Sequence, residues 1–251
     1  MAGDNNGIVK SAGRVFDILE LFESERRALS AIVITRALKY PPSSTVGLLK
    51  SMVKRGYLFF DPASFTYFPT PRLMFLAQWI GRSPQFEADL LQLLEDVVAV
   101  TNESAALICE NDIYIQYMRI KSSTNPIAFN ISEGQLVPIF ASIAGLTALS
   151  AKTDAEIARL AERVNRRAGR EGPRVDAYKH LTLIKRFRAQ GYGVGYDVFA
   201  AGVGLLAWLI RPQVGGHPMV LSVGGPTERV RAAESNIIRA VTTLLKKYKV
   251  H

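Results

Sequence analysis

Two adjacent prolines, Pro41 and Pro42, fix a helix boundary in the N-terminal part of the chain. The segment before them, AIVITRAL at 31–38, has apolar residues at helical spacing, and Ser30 stands where an N-cap would. This helix must end near Lys39, because proline disfavours helical backbone in the residue that precedes it. We therefore expect a short helix, a turn, and a second helix that starts beyond the prolines.

The segment after the prolines, SSTVGLLKSMVK at 43–54, combines an apolar stripe with a cationic end. Leu49 and Val53 belong to the stripe, and Gly56 is a natural helix terminator. One of three hydroxyl residues can cap the start of this helix: Ser43, Ser44 or Thr45. The cations fall outside the apolar stripe: Lys50, Lys54 and Arg55.

The flanking segments complete a recognisable order of elements. A helical pattern, GRVFDILELFES at 13–24, comes first, and two β-rich runs at 57–60 and 65–70 surround the turn DPAS. Helix, helix, turn, helix and hairpin is the order of a winged helix-turn-helix, whose second motif helix enters the major groove of DNA. The sequence therefore predicts an all-α winged helix-turn-helix domain at the N-terminus.

Charge supports a polyanionic partner. The chain has 31 Lys and Arg against 22 Asp and Glu, a formal net charge of +9, which favours nucleic acid or an anionic membrane surface. The first 75 residues hold ten of these cations and six of the anions, so the small domain has the higher charge density. A capped helix with a solvated outer face would use the same residues; the order of the elements favours DNA.

The rest of the chain is an α+β domain. Helical patterns alternate with strands that pair as hairpins, such as SAALICEN with DIYIQYMRI and VGLLAWLIR with PMVLSVGG. We expect residues 1–70 to form the DNA-binding domain, 71–84 a connector helix, and 85–251 a domain with an antiparallel sheet.

Several classes of site have no support in the sequence. The single cysteine, Cys109, excludes an intramolecular disulfide and a multi-cysteine zinc site. His180, His217 and His251 show no ligand spacing, and no Ser/His/Asp grouping is visible, so we expect no cofactor, no metal and no catalytic residue. No signal peptide or membrane-spanning stretch stands out, which predicts a cytoplasmic protein without a membrane partner.

Three segments carry a resemblance to a known family. SAGRVFDILELF, SSTVGLLKSMVKRGYL and YFPTPRLMFLA resemble the N-terminal half of the IclR family of bacterial transcriptional regulators. Further along, GQLVPIFASIAGLTALSA, IKRFRAQGYGVGYDVFAAGVGLLAWLI and VLSVGGP resemble its C-terminal half. The resemblance implies a GAF/profilin-like sensing domain, a small-molecule effector, and a dimer or dimer of dimers on a palindromic double-stranded DNA operator.

The resemblance also implies a DNA-reading surface. By match to the family motif, the groove-facing residues are Ser43, Ser44, Thr45, Gly47 and Lys50, with Lys54 nearer the DNA backbone. Arg36 and Lys39 precede the turn, and Arg55 adds phosphate attraction. Many family members carry arginine where this chain has Gly47, so their base preference cannot be transferred to this chain.

The family pocket maps onto small and apolar residues here. It implies effector contacts from these residues: Phe129, Val137, Ile143, Ala144, Gly195, Leu205, Ser222 and Gly224. Gly195 stands at an acidic position, Leu205 at a cysteine position and Gly224 at a serine position, which favours an aromatic or partly apolar effector. Asp197 is either a polar anchor or a turn cap, and Tyr196, Phe199 and Trp208 either stack on a ring or belong to the core.

Three functional hypotheses follow. The first is a ligand-responsive transcriptional regulator, more a repressor than an activator, that controls catabolic genes. The second is a small-molecule enzyme with an accessory basic module, which would need titratable residues in a pocket that is poor in them. The third is a nucleoid-type DNA binder without a ligand.

Overall fold

The computed structural model describes residues 9–77, 84–126, 131–168, 174–214 and 217–250. The chain divides into two compact units, Met1–Ile80 and Gly81–His251. This division falls inside the segment 71–84 that the sequence suggests as a connector.

The first unit is a helical domain with a small three-stranded sheet. Its elements are α1 (Lys10–Glu25), β1 (Leu29–Ser30), α2 (Ala31–Leu38), α3 (Pro42–Lys54), β2 (Leu58–Asp61), β3 (Thr66–Pro69) and α4 (Arg72–Ala77). The strands are antiparallel in the order β1-β3-β2. The predicted helix-turn-helix and hairpin are confirmed, whereas β1 escaped prediction because two residues are too few to show alternation.

The core of the first unit comes from the apolar stripes of its helices. Ile18, Ile34 and Leu49, one from each of α1, α2 and α3, are fully buried, and Met52 and Leu58 pack with them. These side chains hold α3 against α2 and leave its opposite face to solvent.

The helix boundaries at the prolines are partly as expected. The Ser30 Oγ accepts a bond from the Val33 N–H at 3.4 Å, so the predicted cap of α2 is confirmed. Hydroxyl capping of α3 is wrong: the helix begins at Pro42, whose fixed φ suits the first helical position, and Pro41 occupies the N-cap. Gly56, at φ +78°, follows the last turn of α3 as expected.

The second unit is a six-stranded antiparallel sheet with helices on both faces. Its elements are α5 (Pro84–Thr101), β4 (Ser104–Asn111), β5 (Tyr114–Lys121), β6 (Leu136–Pro138), a 3-10 turn (Ile139–Ala141), α6 (Ile143–Leu149), α7 (Asp154–Ala168), α8 (Ala177–Gln190), β7 (Gly193–Tyr196), β8 (Val203–Val214), β9 (His217–Pro226) and α9 (Thr227–Lys247). The strand order is β6-β5-β4-β9-β8-β7. The expected α+β fold is confirmed.

Two apolar cores lie on opposite faces of this sheet. Alternate residues of β8 supply them: Leu205 and Ala207 pack with the core on the α6–α8 side, whereas Leu206 and Trp208 pack with the core on the α5 and α9 side. Trp208 therefore belongs to the layer opposite Leu205.

Two local features of the second unit are not evident from sequence patterns. Segment 138–151 is rich in apolar residues but is not one continuous helix, because Ser142 has extended backbone and its Oγ caps α6 by accepting from the Gly145 N–H at 3.0 Å. The short strands β6 and β7 were also missed: β6 has three residues, and two of the four in β7 are glycines.

Candidate nucleic-acid interface and effector pocket

One face of α3 carries four of the nine predicted DNA contacts. Ser43, Gly47, Lys50 and Lys54 are all exposed, and their spacing of four, three and four residues places them on one side of the helix. Their opposite face holds Leu49 in the core. The structure therefore presents a continuous exposed stripe, which we call the α3 stripe, that consists of these four residues.

Thr45 does not belong to this surface. Its side chain is fully buried, and its Oγ1 donates to the Pro41 carbonyl oxygen at 3.2 Å. The predicted side-chain contact of Thr45 with DNA is therefore wrong, because the helix turns this residue towards the core. Ser44 is half-buried and donates to the same carbonyl at 3.0 Å.

Arg14 is a cation beside α3 that sequence reasoning missed. Its Nη1 donates to the Ser44 Oγ at 3.2 Å, and its guanidinium lies 4.8 Å from the centroid of the Tyr40 ring. The Tyr40 hydroxyl donates to Asp17, and burial together with this bond raises the Tyr40 pKa to about 12. These contacts hold the guanidinium of α1 next to the start of α3.

An open groove of about 630 Å³ separates the start of α1 from α3. It is lined by Val9, Lys10, Ser11, Arg14, Ser44, Gly47, Leu48 and Ser51. Two of these residues are cations, and the hydroxyls and backbone groups of the others offer hydrogen bonds. A phosphate group is the kind of ligand that such a groove can accept.

Gly47 leaves open space on the α3 stripe. No atom lies within 4 Å of the position that a Cβ atom would take there. Its backbone is helical and its φ is not positive. Neither packing nor backbone geometry therefore requires glycine at this position, and a longer side chain would extend freely from the helix.

The remaining predicted cations are exposed and flank α3. Arg36 lies in the last turn of α2, Lys39 is its C-cap and Arg55 is the C-cap of α3. Within the described residues, none of the predicted cations of this unit has an ion-pair partner: Arg36, Lys39, Lys50, Lys54 and Arg55. Their charges are thus available to an external anion.

The wing of this domain is aromatic and has no cation. Segment 58–70 contains no lysine or arginine, and Phe59, Phe65 and Phe68 are exposed by 58%, 70% and 48%. The positive charge of this unit therefore lies outside the wing, in which Asp61 is the one charged side chain.

The predicted effector residues surround two very small cavities. Ile143, Gly195 and Leu205 line one with Tyr117, Ser142, Val198, Phe199 and Val203. Leu205, Ser222 and Gly224 line the other with Ser104, Ala105, Ala106, Tyr117, Ile120 and Ile131. Each has a volume of about 10 Å³, roughly the space of one water molecule. We call these two cavities together the inner pocket.

Neighbouring side chains fill the space beside two of the predicted pocket glycines, Gly195 and Gly224. A Cβ atom on Gly195 would overlap the Ile143 side chain, and one on Gly224 would stand 2.8 Å from Leu205 Cδ1. The large side chains thus occupy the room that a side chain at 195 or 224 would need. Small residues opposite large ones keep the inner pocket almost closed.

The other predicted effector residues have different positions. Val137 and Ala144 are buried in the core on this face of the sheet but line neither cavity. Phe129 lies outside the described residues. Phe199 lines the inner pocket, whereas Trp208 is on the opposite face of the sheet and cannot stack on a ligand there.

Asp197 is a turn residue. Its Oδ1 accepts from the Gly202 N–H at 2.6 Å and from the Thr227 Oγ1 at 3.1 Å. The residue is exposed, with φ +58°. Of its two predicted roles, polar anchor for the effector or turn cap, these bonds favour the cap of the β7–β8 turn.

Tyr117 is the inner-pocket residue that the sequence did not reveal. It is buried, lines both cavities, and burial raises its pKa to about 12. Nothing in the sequence pointed to this role, because a tyrosine at an inward-facing position of an alternating strand is also typical of a core residue. Its phenol is the largest polar side chain of the inner pocket, whose other polar side chains are Ser104, Ser142 and Ser222.

Comparisons with known proteins decide the family. Residues 11–62 match the IclR helix-turn-helix domain, and residues 87–248 match the C-terminal domain of bacterial transcriptional regulators of the IclR type. This chain belongs to the IclR family of transcriptional regulators. As in the family, it is a DNA-binding regulator and not an enzyme.

Solved structures show the same fold. The effector domain of IclR from Acinetobacter sp. ADP1 is 25% identical, with a TM-score of 0.61 over 66% of this chain and 96% of that one. The IclR regulator of Alicyclobacillus acidocaldarius is 21% identical, with a TM-score of 0.59 over 94% and 98%. Thermotoga maritima IclR is 15% identical, with a TM-score of 0.61 over 95% and 98%. A search of curated protein sequences found no match.

The described residues offer neither a metal site nor a membrane-spanning helix. Among the described residues, no group of three or more His, Cys, Asp or Glu side chains could hold a metal ion. In the same ranges, no helix has the length and apolar character needed to cross a lipid bilayer.

Proposed function

We propose that this IclR-family regulator is a ligand-responsive repressor of catabolic genes that acts in the cytoplasm. Residues 1–70 would bind DNA, 71–84 would connect, and 85–251 would bind the effector and form a dimer or a dimer of dimers. The operator would be palindromic, since two-fold symmetric proteins read two-fold symmetric sites.

The α3 stripe is the observation that supports DNA recognition by this surface. It places Lys50 and Lys54 on one exposed face without a carboxylate partner in the described residues, next to the groove that Arg14 lines. Helix α3 follows the turn of a helix-turn-helix, so its exposed face is the one that enters the major groove. The cations then bind phosphates, and Ser43 and Gly47 approach base edges.

The inner pocket supports an apolar or aromatic effector. Its walls are mainly apolar, with Ile143, Phe199 and Leu205 as large side chains. Its polar side chains are Tyr117, Ser104, Ser142 and Ser222. A small aromatic acid needs far more room than 10 Å³, since ligand pockets usually measure about 300–1,000 Å³. Binding would therefore select a conformation in which the apolar side chains move apart.

This requirement supplies a mechanism for the response. An effector that binds only the open pocket shifts the sensing domain towards that state. If the open and closed states differ in how they space the two recognition helices, operator affinity changes with effector concentration. Coupling of about 1–3 kcal/mol changes affinity by about 5 to 150-fold.

The DNA surface is tested by Lys50→Ala with Lys54→Ala in the full chain. Binding to a DNA fragment that carries the operator is measured at several salt concentrations. We expect weaker binding and a salt slope reduced by about 1.8, since each phosphate contact contributes about 0.9. Lys179→Ala with Lys249→Ala removes the same charge from exposed sites of the other unit and should leave the slope unchanged. An unchanged slope in the first variant would remove α3 lysines from the interface.

The effector class is tested by thermal shift with aromatic acids and with two- and three-carbon acids. A ligand at 100 times its Kd adds about 2.7 kcal/mol of stability. We expect the aromatic acids to raise the melting temperature and to change operator affinity. Stabilisation by the shortest acids alone would contradict the apolar pocket.

A further inference from the structure

A much larger cavity lies at the β7 edge of the six-stranded sheet. Its volume is about 710 Å³, within the usual range of about 300–1,000 Å³ for small-molecule sites. Its walls are the connection between α6 and α7, the end of α8, strand β8 and the last turns of α9. It shares no lining residue with the inner pocket. We call it the edge cavity.

Trp208 lines the edge cavity with an unsatisfied hydrogen-bond donor. Its side chain is only 3% exposed, and its indole N–H has no acceptor among the described residues. A buried donor without a partner is unfavourable, so buried indoles usually find an acceptor. The nitrogen is itself shielded from solvent, so a ligand in the adjoining cavity would reach it only after a small movement of the cavity wall.

One cation of the edge cavity is unpaired. Lys246 is exposed and has no carboxylate partner in the described part of the chain. The other two cations are engaged. Lys152 Nζ lies 3.0 Å from Glu110 Oε2, and Arg188 donates to the Lys152 carbonyl at 2.7 Å and to Asp154 at 3.3 Å.

Apolar and aromatic side chains form much of the remaining wall, together with the polar residues Ser150, Thr153, Gln190 and Thr242. The Tyr192 ring lies 6.2 Å from the Trp208 ring, centroid to centroid, and Phe187, Leu209 and Leu245 also line the cavity. The Trp208 N–H and the Lys246 ammonium are thus two donors in this wall that have no partner among the described residues. Their complement is a ligand with acceptor oxygens, a negative charge and an apolar body.

We propose that the edge cavity is a second small-molecule site, which binds an organic carboxylate with a compact apolar ring. The Trp208 indole N–H donates to the carboxylate, Lys246 balances its charge, and the ring lies against Tyr192. The site is separate from the inner pocket, so it can be occupied whether or not an effector binds there.

Tryptophan fluorescence of the full chain tests this proposal directly. The sequence has two tryptophans, Trp79 and Trp208, so Trp79→Phe leaves Trp208 as the only emitter. The ligands are benzoate and cyclohexanecarboxylate, with acetate lacking the ring and cyclohexylmethanol lacking the charge. We expect a saturable change in Trp208 emission with the two ring acids and a much weaker response to acetate and to the alcohol. No saturable change with either ring acid up to millimolar concentration overturns the proposal.

Matched variants locate the binding. Lys246→Met should weaken binding of the ring acids about two- to fivefold, as loss of an exposed charge does. Lys249→Met removes a cation that does not line the cavity and should leave the affinity unchanged. Trp208→Phe keeps a ring but removes the N–H, and calorimetry should find weaker binding in it, with circular dichroism as the check on folding.

Ser222→Ala in the inner pocket distinguishes the two sites. We expect it to leave the change in Trp208 emission with the ring acids unchanged. Loss of that emission change in this variant, with the full change in Lys246→Met, would place the responsible ligand in the inner pocket and overturn the proposal while supporting the proposed effector site. Operator binding is measured separately, so failure of the edge cavity would leave DNA recognition by α3 untouched.

Discussion

Leu205 and Gly224 face each other across adjacent strands. The Leu205 Cδ1 lies 2.8 Å from the position that a Cβ atom on residue 224 would take. Ile143 and Gly195 form a second pair of the same kind. At both places a large apolar side chain meets a residue without one. The pocket positions are thus matched in volume, and a change at one should be felt at its partner.

Gly224→Ser and Leu205→Ala should therefore be strongly non-additive. Gly224→Ser alone forces Leu205 to move within a packed core, which costs about 1–3 kcal/mol. Leu205→Ala alone leaves a cavity and costs about 2–5 kcal/mol. The double variant should be more stable than the sum of these losses predicts, by about 0.5–3 kcal/mol. Urea unfolding of the four proteins measures this coupling.

The control combines Leu205→Ala with the same glycine-to-serine change at a position that does not contact Leu205. Gly134 has no atom within 4 Å of a Cβ position, so Leu205→Ala combined with Gly134→Ser should be additive. Additivity of the Leu205 and Gly224 changes as well would show that the two residues do not compete for space.

Gly47→Ala should stabilise the protein. The residue lies inside α3 with helical backbone and open space around its Cβ position. Glycine in such a place costs about 0.5–1 kcal/mol relative to alanine. The free energy of unfolding, from urea denaturation, should rise by this amount. Gly56→Ala is the contrast: at φ +78° it should lower the stability by about 1–2 kcal/mol.

Gly47→Arg tests the α3 stripe from the opposite direction. The new side chain meets no neighbour, so it should add one cation to the face that contacts DNA. We expect tighter binding to non-specific DNA and a salt slope that is steeper by about 0.9. Gly47→Gln adds a long side chain without the charge and should leave the slope unchanged. A Gly47→Arg slope equal to that of the parent would place this position away from phosphates.

Local signals in the sequence predicted the N-terminal domain well. Pro41 and Pro42, the cap at Ser30 and the glycine at 56 act on their own neighbours, so their effects can be read without tertiary structure. The burial of Thr45 was also readable from the sequence, because its spacing of four and seven residues from Leu49 and Met52 places it on their apolar face. The family motif, which counts Thr45 among the groove-facing residues, pointed the other way.

The inner pocket was harder to predict because its shape depends on contacts between distant segments. The sequence identified Ile143, Gly195, Leu205 and Gly224 as neighbours only through the family resemblance. That these residues fill one another's space follows from strand register and side-chain packing. The edge cavity was missed for the same reason, since Trp208 and Lys246 are brought together only by the packing of α9 beside the edge of the sheet.

Asp96 should give the protein part of its acid sensitivity. Lys247, Gln92 and Tyr248 donate to its carboxylate at 2.9, 3.0 and 2.8 Å, linking α5 to α9. The bond from Lys247, followed by those from Gln92 and Tyr248, holds the pKa of Asp96 below its ordinary value. A lowered folded-state pKa stabilises the protein above the ordinary pKa, and this stabilisation is lost as the pH falls through the folded-state value.

Asp96→Asn should therefore lower the free energy of unfolding at pH 7, and this difference should shrink as the pH falls below the ordinary carboxyl pKa and through the lower folded-state value. Urea unfolding at several pH values from about 7 to 3 measures the difference between the two proteins. Glu95→Gln, on the same helix, removes only an exposed pair with Lys121 and should have a smaller effect at every pH. A difference for Asp96→Asn that stays constant down to about pH 3 would show that its carboxylate charge does not link α5 to α9.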